Sequence, residues 1–132
     1  MYGDFYLPEI ENKIKNSKTQ SAQEFKSGFL GNYFAQSMLP KEKQNKMKTF
    51  KDKNPLNAKL DKTVLDRFIN QQTKLLYLLN QSKNIDLNKV KTAISITKWI
   101  QLKLGDTFQF YVNHIIRHLN QIDRIQTLLK NV

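Results

Sequence analysis

The 132-residue chain contains no cysteine, which excludes disulfides, thiolate metal sites and any mechanism with a protein thiol as nucleophile. It has no window near the roughly 18 to 20 consecutive apolar residues of a membrane span, and its opening MYGDFYLPEI lacks the basic and apolar regions of a secretory leader. A cytoplasmic chain with no membrane partner is expected. Arginine is scarce, three of 22 basic residues, although forked recognition of phosphate or guanine favours arginine. Internal repeats are also lacking. Histidine occurs only twice, at His114 and His118.

The net charge is +11, which by itself points to nucleic acid. Its distribution argues otherwise. Residues 1–60 carry 11 basic and 6 acidic side chains, 61–103 carry 8 and 3, and 104–132 carry 3 and 2. The charge is spread along the chain, so nucleic acid is disfavoured as a partner. The length fits a single domain over 1–132 with one core.

Two strong helices stand out. From Leu104 to Lys130, Phe108, Val112, Ile115, Ile116, Leu119, Ile122, Ile125 and Leu129 recur at three and four residues, which places them on one helical face that must be buried. Gly105 and Asp106 supply the start, with Asp106 expected to cap the first turn. The second helix, about 61–82, is capped by Asp61 and aligns Val64, Leu65, Phe68, Ile69, Gln72, Leu75, Leu76 and Leu79.

The connecting regions differ. Tyr2, Phe5 and Tyr6 precede PEIENKIKN, a short helix ending near residue 16, with Pro8 tolerated in a first turn. Ser17 to Gln23 reads as a turn. In EFKSGFLGNYFAQSML, Gly28 and Gly31 break helical continuity, and the aromatic residues predict cover for a core edge with at most a short helix. KEKQNKMKTFKDKNP is a long lysine-rich connector. KTAISITKWIQLKL, rich in β-branched residues and partly alternating, predicts an extended crossover at about 92–104.

His118 falls at the margin of the apolar stripe of 104–130 and His114 just outside it. The i and i+4 spacing stacks both imidazoles on one side, within reach of one metal ion. Gln121 and Tyr111 are the only other polar groups nearby, and Asp106 and Asp123 are expected to cap or face solvent.

ISITKWIQLKLGDTFQFYVNHIIRHLNQIDRI resembles the C-terminal half of the DinB-like four-helix bundles, in which an extended crossover and a Leu-Gly-Asp start lead into a last helix bearing H-x3-R-H-L-x-Q-I. The pattern falls on Leu104, Gly105, Asp106, His114, Arg117, His118, Leu119, Gln121 and Ile122. The helix at 61–82 looks like the family's third, and FKSGFLGNYF like its irregular connection between helices two and three. The resemblance implies an all-α, incomplete DinB-like four-helix bundle with long irregular and extended crossovers. It also implies a divalent metal, zinc or nickel, held by three histidines, of which His114 and His118 match two, with Gln121 behind them. By the same resemblance YGDFYLPEIENKIK follows directly on the family's third ligand, so that ligand and the first helix are expected upstream of Met1. The implied activity is a metal-dependent transfer or hydrolysis on small thiol-type substrates, inactive where the third histidine is missing. No catalytic residue can be named.

The competing class is a non-enzymatic module, either a helical interaction and dimerisation module or a basic nucleic-acid-binding protein. With one helix and part of another missing, the two long helices cannot cover their apolar faces within one chain, so a homodimer is expected.

Overall fold

The computed structural model describes residues 2–18, 20, 24–41, 59 and 61–131. The lysine-rich connector at 41–55 lies almost entirely outside the described residues. Within them the chain is mainly α: α1 (Tyr2–Asn16), α2 (Phe29–Met38), α3 (Thr63–Gln81) with a 3-10 turn at Ser82–Asn84, and α4 (Leu104–Lys130). A two-stranded antiparallel hairpin, β1 (Lys91–Ile94) and β2 (Thr97–Lys103), precedes α4.

The aromatic opening makes α1 longer than its polar part alone predicts. The helix begins at Tyr2 and carries Pro8 in its interior, where proline removes one main-chain hydrogen bond. Packing outweighs that loss, because Tyr6, Leu7 and Ile10 on either side of Pro8 are buried in the core. Tyr6 stands against Phe110 and Tyr111 of α4. Its hydroxyl accepts the Ser95 amide at 3.2 Å, which ties the hairpin to α1. A second tie runs from the Ala93 amide to the Glu9 carboxylate at 3.0 Å.

The helix α3 starts where Asp61 places it: the Asp61 carboxylate accepts both the amide and the hydroxyl of Thr63. These two bonds hold its carboxyl below the ordinary aspartate range. α3 runs alongside α1 in the same direction, with Asp4 meeting Arg67 and Gln71, and Glu11 meeting Lys74. Its buried face is Leu75 and Leu78, while Leu65, Ile69 and Leu76 are exposed. The apolar register drawn through those three is therefore offset from the face that packs.

The crossover is extended, as its residue types predict, but it folds back on itself. Lys91 pairs with Lys103 and Thr92 with Leu102, with an irregularity at Ala93/Ile94. The Thr92 and Thr107 hydroxyls bond each other in the interior, and the Leu104 amide donates to the Val90 carbonyl at 2.8 Å. The hairpin thereby hands the chain to α4 at a fixed angle. Its outer side is open to solvent: Trp99 is 96% exposed.

The capping role expected of Asp106 is corrected. No side chain caps α4. Asp106, 1% exposed, reaches instead to the start of α2, where its two oxygens accept the Ser27 hydroxyl and the Gly28 amide, the latter at 3.0 Å. Gly31 sits inside α2 and does not break it. A Cβ there would lie 2.2 Å from the Asp106 carboxyl carbon, so the glycine is what allows the carboxylate in. At the other end of α2, Asn113 donates to the Ala35 carbonyl at 2.8 Å and Arg117 to the Ser37 carbonyl at 3.4 Å. α2 thus runs parallel to α4 with a carboxylate at its positive end and a guanidinium at its negative end, the pairing that the helix dipole favours.

The expectation that the whole apolar face of 104–130 is buried is also corrected. Leu104, Phe108 and Tyr111 are in the core, but Ile116, Leu119, Ile122, Ile125 and Leu129 are exposed. At 1.5 Å per residue α4 is about 40 Å long and α1 about 22 Å, so the second half of α4 extends past the elements packed on the first.

Candidate functional site: a histidine pair at the end of the core

The pair lies where α4 leaves the core. α2 brings Met38 to this point and α1 brings Tyr2, each as a direct consequence of how those helices are held. The Tyr2 ring stands 4.0 Å, centroid to centroid, from the His114 ring, and Phe110 lies one turn below. His114 is therefore the more buried of the two and His118 the exposed one, the reverse of what their angular positions on the helix predict. Burial comes from neighbouring elements that a helical projection does not contain.

The two Nε2 atoms face each other at 2.9 Å. On the far side of each ring the Nδ1 has its own partner: Gln121 Oε1 at 2.9 Å for His118, and the Met38 sulfur at 3.4 Å for His114. These partners constrain the tautomers. Gln121 accepts the Nδ1 proton of His118, so neutral His118 presents an Nε2 lone pair. His114 then has two settings. With its proton on Nε2 it donates to His118, and with its proton on Nδ1, toward the thioether, both Nε2 lone pairs converge. The converged setting is a two-donor clamp.

Its dimensions suit a metal. With metal to nitrogen bonds of roughly 2.05 Å, two imidazoles at a right angle stand about 2.9 Å apart and at the tetrahedral angle about 3.3 Å. Small ring rotations cover that interval. The electrostatics favour the same chemistry. Burial, with the neighbouring His118 and Arg117 charges adding to it, pushes the His114 pKa down to about 4. The ring is thus unprotonated at neutral pH, as a metal ligand must be.

A closed centre is not present among the described residues, where no group of three histidine, cysteine, aspartate or glutamate side chains stands together. Asp106 is committed to α2, and Asp123 is exposed. The residues present fit two donors of a divalent ion and do not fit a complete three-histidine site.

Gln121 is where the sequence places it, bonded to His118. Tyr111 is not part of the site: it is buried against Tyr6. Met38 and Tyr2 were missed by sequence reasoning, since nothing in their own segments marks them and only the packing of α1 and α2 on α4 brings them in. No protein-family model, curated protein or solved structure matches the chain.

Proposed function

We propose that the chain is a DinB-like helical module in which His114 and His118 form a clamp for a divalent metal, zinc or nickel, serving transferase or hydrolase chemistry on small thiols when further donors complete the ion's shell. The observation that carries the reading is the 2.9 Å approach of the two Nε2 atoms, with each Nδ1 occupied from behind. In this reading α1 corresponds to the family's second helix, α3 to its third and α4 to its last, in a DinB-like helical bundle. A metal held there would supply a Lewis acid able to bind a thiol as thiolate. The chain's own residues do the rest. Gln121 keeps the His118 proton on Nδ1, Tyr2 and Met38 hold the His114 ring and exclude water from one side, and burial keeps that ring neutral.

Calorimetric titration with zinc or nickel tests the reading. Weak binding is expected, lost in His114→Ala and in His118→Ala, and weakened roughly ten-fold in Gln121→Ala. Binding that survives both histidine substitutions would place the metal elsewhere and end the proposal. A second reading, a helical interaction module, is favoured by the exposed apolar side chains on α3 and on the outer half of α4.

A further inference from the structure

The two histidines do not stand apart from the exposed half of α4. Taken at 100° per residue, His114, His118, Ile122, Ile125 and Leu129 fall within one narrow seam, spaced by four, four, three and four residues, the near-seven repeat along which two parallel helices meet. The upper part of that seam, Leu104, Thr107 and Tyr111, is closed by the chain's own core, and the lower part is open. The histidines sit at the boundary.

We propose that a second copy of this chain covers the open half of α4, with the two helices parallel about a two-fold axis, and that the paired His114 and His118 of both copies enclose one zinc ion at the fork where the helices part. The inference rests on reading the pair as a metal clamp, and it supplies the donors that reading lacks. Symmetry does the work. A parallel two-fold places each residue level with its own copy, so two donors become four, the number that zinc takes in closed sites. Ile122, Ile125 and Leu129 then pack against their counterparts below the ion.

The available area shows why the ion is needed. Leu119, Ile122, Ile125 and Leu129 are between 49% and 71% exposed, so two such faces meeting bury on the order of 800 Å² of apolar side chain, below the roughly 1,200 Å² at which specific interfaces begin. Residues 117–130 carry three basic side chains against one acidic, and each chain is strongly basic, so charge opposes association. Apolar contact alone gives a weak dimer. Four imidazoles on one ion, two from each chain, make it a zinc-dependent one.

Sedimentation of the full chain at tens of micromolar, in chelator and then with zinc chloride, combined with calorimetric stoichiometry, decides the matter. Zinc is expected to convert monomer to dimer with one ion per two chains. His118→Ala, at an exposed position, should keep the fold and lose the response to zinc. Ile125→Asp should block dimerisation while retaining the weak one-to-one binding of a single clamp. Zinc bound one per chain with no change in mass would overturn the inference and leave the clamp standing. No zinc binding would overturn both. A dimer equally stable in chelator, or an assembly larger than two, would overturn the inference alone.

Discussion

Replacing Asp106 by alanine tests whether α2 is held by a carboxylate from another helix. The substitution removes the acceptor of the Ser27 hydroxyl and the Gly28 amide, and hydrogen bonds to a charged group are each worth roughly 1.5 to 3 kcal/mol net. Ser27 is exposed and water can take over its bond, so its share falls at the low end. Loss of a negative charge at the start of α2 adds about 0.3 to 1 kcal/mol, and not having to bury that charge returns part of the total. The expected sum is about 3 kcal/mol. For a chain of this size, between the ranges where one kcal/mol moves the melting temperature by about 6 °C and by about 3 °C, that is on the order of 10 °C. Asp106→Asn keeps one acceptor oxygen of nearly the same shape and should lose about half as much. Thermal and urea unfolding followed by circular dichroism measure both. If the alanine variant stays within about 0.5 kcal/mol of the parent, the range of an ordinary surface change, the carboxylate does not hold α2.

Three further outcomes follow from the same geometry. In metal-free protein the depressed His114 pKa, about 4 when folded against about 6.5 when unfolded, means that stability is fully present above pH 6.5 and is lost as pH falls toward 4; with solvent screening of a half-buried ring the loss is at most about 2 kcal/mol. Urea titrations across that window should show a shallower decline for His114→Gln, and parallel curves would refute the assignment. Trp99, the only tryptophan, should emit as a solvent-exposed indole in the folded chain, and Trp99→Ser should alter stability by less than about 0.5 kcal/mol; a blue-shifted, quencher-resistant emission would contradict its exposure. A Cβ at Gly105 would stand 2.4 Å from the Phe25 ring, so Gly105→Ala should destabilise by about 1 to 3 kcal/mol through overpacking, and an unchanged urea midpoint would show that the ring moves freely.

Local patterns were legible in the sequence and long-range ones were not. The 3.6-residue period of α4 and the Asp61 start of α3 depend on neighbours within a few residues, and both stand in the structure at the expected places. The extended character of 91–103 was equally readable from its β-branched residues, but its pairing as a hairpin was not. Asp106 shows the limit most clearly. An aspartate at a helix start reads as a cap for that helix, yet its partners lie 78 and 79 residues earlier, and Gly31 reads as a helix breaker until the carboxylate beside it is seen. The histidine pair was legible as a pair because i and i+4 fix it on one helix. Which of the two is buried, and what stands behind His114, depend on α1 and α2. The outer apolar face of α4 was read correctly as a stripe and incorrectly as core, because periodicity states which residues share a side and not whether anything covers it.

The clamping of α2 by α4 has a consequence during synthesis. The bonds that hold α2 come from Asp106, Asn113 and Arg117, and bringing the ends of a 78-residue loop together carries an entropic cost that grows as the logarithm of its length, about 4 kcal/mol. At roughly 5 to 20 residues per second, α2 leaves the ribosome some 4 to 16 seconds before the first of its anchors is made. Throughout that interval Phe34, Ala35 and Met38 have no α4 to pack on. The apolar surface of α2, like that of α1 before it, therefore stays uncovered until α4 has been made, and the bonds from Asp106, Asn113 and Arg117 mark the end of that exposure.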